Sequence, residues 1–168
     1  MLARFRLPSP VRTALDAVRP PRPFNEATYL ARVEAYRGRP LRLHEEDLPL
    51  DVCGMWRLNG GVDHIHVPRG AVGAQRWQII GHEVGHMLMA KPGRNLGHGL
   101  HDEDRNDLAR LLPDLDPERL AMYRLRTKYD EEEERMAELY GTYAVAGVEP
   151  DEPGIGRIGR IRQAMDGL

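Results

Sequence analysis

The chain has 168 residues, 41% of them apolar and 30% charged, with a formal net charge of −2. Such a length and balance suit one soluble domain with a core of its own, and the near-neutral charge excludes a global basic field that would advertise nucleic acid. The single cysteine, Cys53, excludes an internal disulfide framework and fits a reducing, cytoplasmic compartment, and no apolar run approaches the ~18 residues of a membrane span.

Residues 1–24 are rich in arginine and proline and read as a tail. The first eight lack the continuous apolar stretch of a secretory signal. Positions 11–19 predict two helical turns, stopped by Pro20, Pro21 and Pro23 and lying outside the core as a tail or clasp. Asn25 is suited to N-cap a helix from 26 to about 36, with Tyr29, Leu30, Val33 and Tyr36 as its apolar stripe and Gly38 at its end. Residues 41–44 predict a short strand, and an acidic loop follows to Asp51.

Residues 53–58 and 62–67 predict two further strands around Asn59-Gly60-Gly61, a strong hairpin signal because Asn and Gly tolerate positive φ. The strand-like neighbours of Cys53 mark it as a small buried hydrophobe. In the second of these strands Ile65 and Val67 share one face, while His64 and His66 share the other. Two histidines at i, i+2 can bind a metal, but they read first as the polar face of an edge strand.

A longer helix is predicted from about 74 to 90, ended by Pro92-Gly93. The glycine-rich stretch 91–101 carries His98 and His101 and reads as a loop. Residues 102–112 predict a short helix, broken by Pro113, and Asp116-Pro117-Glu118 is a clean restart for a helix running toward Lys128. Asp130 is placed to cap another helix from 131 to about 145, either separate from that one or continuous with it. From Gly147 a tail follows, with Ile155, Ile158 and Ile161 among arginines, and it reads as a lightly docked terminus.

The chemistry concentrates in Gly81-His82-Glu83-Val84-Gly85-His86. On a helix, residues four apart share a face, so His82 and His86 can present two imidazole nitrogens to one metal ion. Glu83 then lies close enough to act as general base toward a water on that metal, the zincin arrangement. Such a centre needs a third protein ligand. Glu134 stands out, because Ala137, Glu138 and Gly141 lie on its helical face, and an Ala and a Gly would let that helix press against the first. Glu133 is a rival, as are His98 and His101. Glu138, one turn beyond Glu134, is positioned to support a ligand imidazole through a hydrogen bond.

Three segments resemble the ImmA/IrrE metallopeptidases of bacteria, their phages and mobile elements. Cys53-Gly54-Met55-Trp56-Arg57-Leu58 followed by His64-Ile65-His66-Val67-Pro68 is similar to that family's hairpin ahead of the active helix. Gln75-Arg76-Trp77-Gln78-Ile79-Ile80-Gly81-His82-Glu83-Val84-Gly85-His86 resembles its R-x-x-x-x-H-E-x-G-H element, with the arginine one residue further out. Glu134-Arg135-Met136-Ala137-Glu138-Leu139-Tyr140 resembles the segment that carries the third zinc ligand, with Glu138 for the usual Asp or Asn and Tyr140 for Phe.

The resemblance spans residues 25–146 and implies a minimal zincin-like α+β domain. Its sheet would be small and mostly antiparallel, about three strands packed on helices with the His-Glu-x-x-His helix central. Residues 91–128 would be an insertion or lid, and 147–168 a tail. The resemblance also implies Zn²⁺ held by His82, His86 and Glu134, with Glu83 as catalytic base, in a cytoplasmic endopeptidase. The implied substrate is a helix-turn-helix repressor, cut in stress response or mobile-element control. Tyr123, Tyr129, His98 and His101 are candidate oxyanion donors, and the strand at 62–67 could hold an extended substrate if it lies at an edge. The competing class is a zinc-stabilised binding module, or the toxin of a toxin–antitoxin pair, that sequesters a regulator without turnover. Only the basic C-terminal tail favours direct nucleic-acid binding, and nothing in the sequence favours a membrane.

Overall fold

The computed structural model describes residues 7–48, 52–91 and 129–146. Over these the chain runs α1 (Ser9–Val18), α2 (Glu26–Arg37), β1 (Leu41–Glu46), β2 (Met55–Asn59), β3 (Val62–Pro68), α3 (Gly73–Met89) and α4 (Glu131–Ala146). This is the expected α+β class, a small sheet packed on helices. Among the described residues no helix is long and apolar enough to cross a membrane. The readings placed on 92–128 and on 147–168, with His98, His101 and Tyr123, lie outside the described residues.

Local signals in the sequence account for most element ends. Asn25 Oδ1 accepts the Thr28 N–H at 2.9 Å, and Gly38 closes α2 at φ 64°, where a side chain would be strained. The hairpin turn sits one residue later than Asn-Gly suggests. Asn59 pairs with Val62, and Gly60 and Gly61 take φ of 58° and 77°. Positive φ at both central residues gives the turn a twist that matches the flanking strands.

The sheet order is β1-β3-β2. β2 is antiparallel to β3 and β1 is parallel to it, so the sheet is mixed where a mostly antiparallel one was expected. The chain reverses between β1 and β2 and again at the hairpin, so β3 returns in the direction of β1 and inserts between the two. The strand over 62–67 is therefore central, not the edge strand its histidines suggested.

One sheet face packs on the helices through Leu41, Trp56, Ile65 and Val67, all buried. Asp63 is fully buried on the same face and is triply satisfied. It accepts Arg37 Nε at 2.8 Å, Arg37 Nη2 at 3.1 Å and Trp56 Nε1 at 3.0 Å. A buried charge is tolerated only with such partners, and these tie α2 to both hairpin strands. Arg76, in the first turn of α3, grips Glu26 of α2 at 2.9 and 3.0 Å and Glu45 of β1 at 2.7 Å.

The placement of residues 11–19 outside the core is corrected. Val11, Ala14, Leu15 and Val18 of α1 are buried in the main hydrophobic cluster, against α3 and α4. Their i, i+3, i+4, i+7 spacing makes one apolar stripe, which the flanking prolines and arginines obscure in the sequence. The segment after α1 also clasps α4. Arg22 Nη1 and Nη2 donate to the carbonyls of Ala144 at 2.6 Å and Tyr143 at 2.8 Å, which the end of that helix leaves open.

Helices α3 and α4 meet backbone to backbone. A Cβ built on Gly81 would lie 2.9 Å from Gly141 Cα, one on Gly85 3.0 Å from Ala137 Cα, and one on Gly141 2.8 Å from the His82 nitrogen. The backbones meet there with no side chain between them. The contact is completed by Gln78 Nε2 donating to Thr142 Oγ1 at 3.3 Å, and α2 joins α4 through the buried hydroxyls of Tyr29 and Tyr140, 3.0 Å apart. Gly141→Ala forces the helices apart. It is expected to cost about 1–3 kcal/mol by urea unfolding, with the midpoint falling and the slope unchanged.

Candidate metal centre

His82 and His86 stand on successive turns of α3 with their Nε2 atoms 3.0 Å apart. Glu134, in the first turn of α4, reaches both. Its Oε2 is 3.3 Å from His82 Nε2 and its Oε1 3.3 Å from His86 Nε2. A tetrahedral ion bonded to nitrogen and oxygen at about 2.0–2.1 Å sets its ligand atoms about 3.3 Å apart. The two ring nitrogens lie 3.0 Å apart and each is 3.3 Å from a different oxygen of Glu134, separations of that order, so the three side chains form a group that could hold a metal ion.

The register of α4 explains why Glu134, and not its neighbour, turns to the histidines. Asp130 Oδ1 accepts the Glu133 N–H at 2.8 Å, and Glu133 Oε2 accepts the Asp130 N–H at 3.0 Å. This reciprocal capping box occupies Glu133, which also lies 3.4 Å from Lys91 Nζ. Glu134 follows it by 100° around the helix, onto the stripe of Ala137 and Gly141 that faces α3.

The charges are coupled. Hydrogen bonds from His82 and His86 hold the Glu134 carboxyl below the usual carboxylate range. Burial lowers the pKa of His82, but its hydrogen bond to Glu134 and the charges of Glu83, Glu134 and Glu138 outweigh burial, and the net shift is upward. Glu83 is buried, and desolvation raises its pKa, with the two imidazoles pulling the other way.

The loop leading into β2 shapes the surroundings of Glu83. A Cβ on Gly54 would lie 2.6 Å from Ile79 Cγ2 and 3.0 Å from Glu83 Oε1, so only glycine lets this backbone settle over the carboxylate. The Trp56 backbone supplies it with a hydrogen bond. Gly54 was missed as a site residue in the sequence. A glycine at the head of a strand-like run, where another group approaches the backbone closely, was the signal that could have found it.

These groups line one cleft of about 300 Å³, walled by the start of β2, by α3 and by Tyr129, Glu134 and Glu138. The Tyr129 ring stacks on His86 with centroids 3.7 Å apart and planes 16° from parallel. Cys53 lines the cleft and is exposed, which corrects its reading as a buried hydrophobe. The strand begins two residues after it, at Met55. No family model, curated protein or solved structure matches the chain.

Two outcomes are expected. Adding a divalent transition metal should raise the thermal midpoint of the wild type, and His82→Ala or Glu134→Ala should abolish most of that rise in a thermal melt. Metal affinity, followed by titration across a pH series, should fall as the pH drops, with onset above 6.5, because a proton on His82 competes with the metal and the pKa of His82 is raised from 6.5.

Proposed function

We propose that this protein is a zinc-dependent endopeptidase. The observation that carries the reading is the convergence of His82, His86 and Glu134, at separations of 3.0 to 3.3 Å, beside a buried Glu83. Two imidazoles and a carboxylate in this shape suit Zn²⁺, and three protein ligands keep a coordination position open. Zinc bound there would lower the pKa of a water and polarise the scissile carbonyl.

The chain's own residues do the rest. Glu83, its affinity for protons raised by burial, takes a proton from the attacking water and passes it to the leaving amine. The Gly54 backbone and the Trp56 hydrogen bond hold that carboxylate in place, and Tyr129 fixes the plane of His86 by stacking. Among the described residues the outer edge of β2 has no strand partner, and the start of that strand forms a wall of the cleft. An extended peptide adding to this edge would cross the cleft, the role first assigned to the strand at 62–67. A helix-turn-helix repressor as the substrate rests on the sequence resemblance alone. The presence of Glu83 favours turnover over passive sequestration, since a binding module has no use for a buried base beside its metal.

Glu83→Gln keeps the shape and the metal ligands and removes the base. It is expected to lower cleavage of a repressor substrate or of casein by about 10²- to 10⁴-fold while zinc stoichiometry stays unchanged. Undiminished cleavage would overturn the peptidase reading. Gly54→Ala is expected to displace Glu83 and cost about 10- to 100-fold in kcat, again with zinc retained, as read by steady-state kinetics and metal analysis.

A further inference from the structure

Two side-chain hydrogen bonds cross the seam between β1 and β3 on the sheet face opposite Ile65 and Val67, and both run through imidazoles. His44 of β1 and His64 of β3 are bonded Nε2 to Nδ1 at 2.8 Å, and His66 Nδ1 of β3 is paired with Glu46 of β1. The His44 ring stacks on both others, with centroids 5.1 Å from His64 and 4.7 Å from His66. His66 is buried, and among the described residues its Nε2 has no hydrogen-bond partner. The charged groups around the cluster are Arg42 and Glu46 on β1, Arg57 on β2 opposite His64, and Asp63 beside His64 on β3. Each bond limits the protons the cluster can hold. The His44–His64 bond needs a donor on one ring and a bare nitrogen on the other, so protonating both rings sets two N–H groups head on. His66 gives its Nδ1–H to Glu46, so an added proton falls on Nε2, where it makes a buried donor with no acceptor.

We propose that His44, His64 and His66 form an acid-labile clasp, which holds β1 on β3 near neutral pH and releases the strand when the imidazoles are protonated. The parallel pair is where such a clasp has most effect, because no tight turn joins β1 to β3. Burial pushes the His66 pKa down to about 4, with Arg57 and His44 acting in the same direction against the hydrogen bond and charge of Glu46. The pKa of His64 is also lowered, by burial, His44 and Arg57, against Asp63 and a backbone hydrogen bond from Asn59. Once β1 is released these rings return to their ordinary 6.5, so the released state binds more protons. The clasp is therefore at full strength above 6.5 and is lost as the pH falls from there toward about 4. Release of β1 also withdraws Glu45 from Arg76, one of the two carboxylates that hold the start of α3. The inference goes beyond the peptidase reading and does not rest on it.

The test is amide hydrogen exchange of the full-length protein, expressed as protection factors so that the intrinsic pH dependence of exchange cancels. Between about pH 7.5 and about pH 5 the protection of residues 41–46 is expected to fall about 30-fold, the linkage for one group whose pKa moves between about 4 and 6.5. Protection of residues 55–59, in the hairpin, should change by less than about threefold over the same range. His44→Gln with His66→Asn keeps an N–H for each crossing bond and removes two titrating rings, so the fall in residues 41–46 should shrink to about threefold. A constant protection of β1 in the wild type overturns the proposal, as does an equal fall in 55–59 or a fall of full size in the double variant. Should the double variant not fold, a titration of the wild-type imidazoles by nuclear magnetic resonance decides. His66 titrating well below 6.5 in step with the β1 signals supports the clasp, and any other titration of His66, or β1 signals that do not follow it, overturns it.

Discussion

The bare backbone contact between α3 and α4 is the constraint on which the candidate centre depends. An imidazole pair on one helix fixes only two corners of a coordination triangle. The third corner must come from a short carboxylate side chain on another element, and its reach is a few ångströms. At Gly81, Gly85 and Gly141 the two helices approach until an added side chain would collide with backbone, that of Ala137 in the case of Gly85. That approach brings Glu134 within 3.3 Å of both ring nitrogens. A wider separation would leave a carboxylate and two histidines on neighbouring helices with no common point.

The remaining elements hold this contact in place and shape what surrounds it. Arg22 closes the end of α4, α1 packs against both helices, and the Tyr29–Tyr140 hydroxyl pair fixes α2 to α4 beneath them. On the other side, the Arg76 contacts seat the start of α3 against α2 and β1, while Asp63 locks α2 to the hairpin. The hairpin in turn sets Gly54 and Trp56 over Glu83. Each of the groups in the cleft is thus positioned by an element that is itself pinned by a buried polar contact or by close packing.

Much of this was legible in the sequence, for physical reasons. His82, Glu83 and His86 lie within one and a half helical turns, where a fixed 3.6-residue period makes geometry readable from spacing. Glu134 was legible at longer range because Ala137 and Gly141, small residues one and two turns on, mark the face that approaches another backbone. What separated it from Glu133 in the structure is the capping box with Asp130, also a local signal. Other features were hidden. The parallel pairing of β1 with β3 joins segments about twenty residues apart, and nothing in either strand's alternation reveals its partner. The burial of α1 was obscured by prolines and arginines, though its apolar spacing was present. Cys53 and Gly54 looked like strand interior, and their place at the cleft follows from where the strand begins, a boundary that hydrophobicity does not mark.

The most direct measurement is crystallographic. Crystals of the zinc-loaded protein, recorded on both sides of the zinc absorption edge, should show an anomalous peak within about 2.0–2.2 Å of His82 Nε2, His86 Nε2 and a Glu134 oxygen, with α3 and α4 in contact at Gly81 and Gly141. A peak bound by the two histidines with Glu134 turned to solvent, or no peak between the helices at all, would contradict the account.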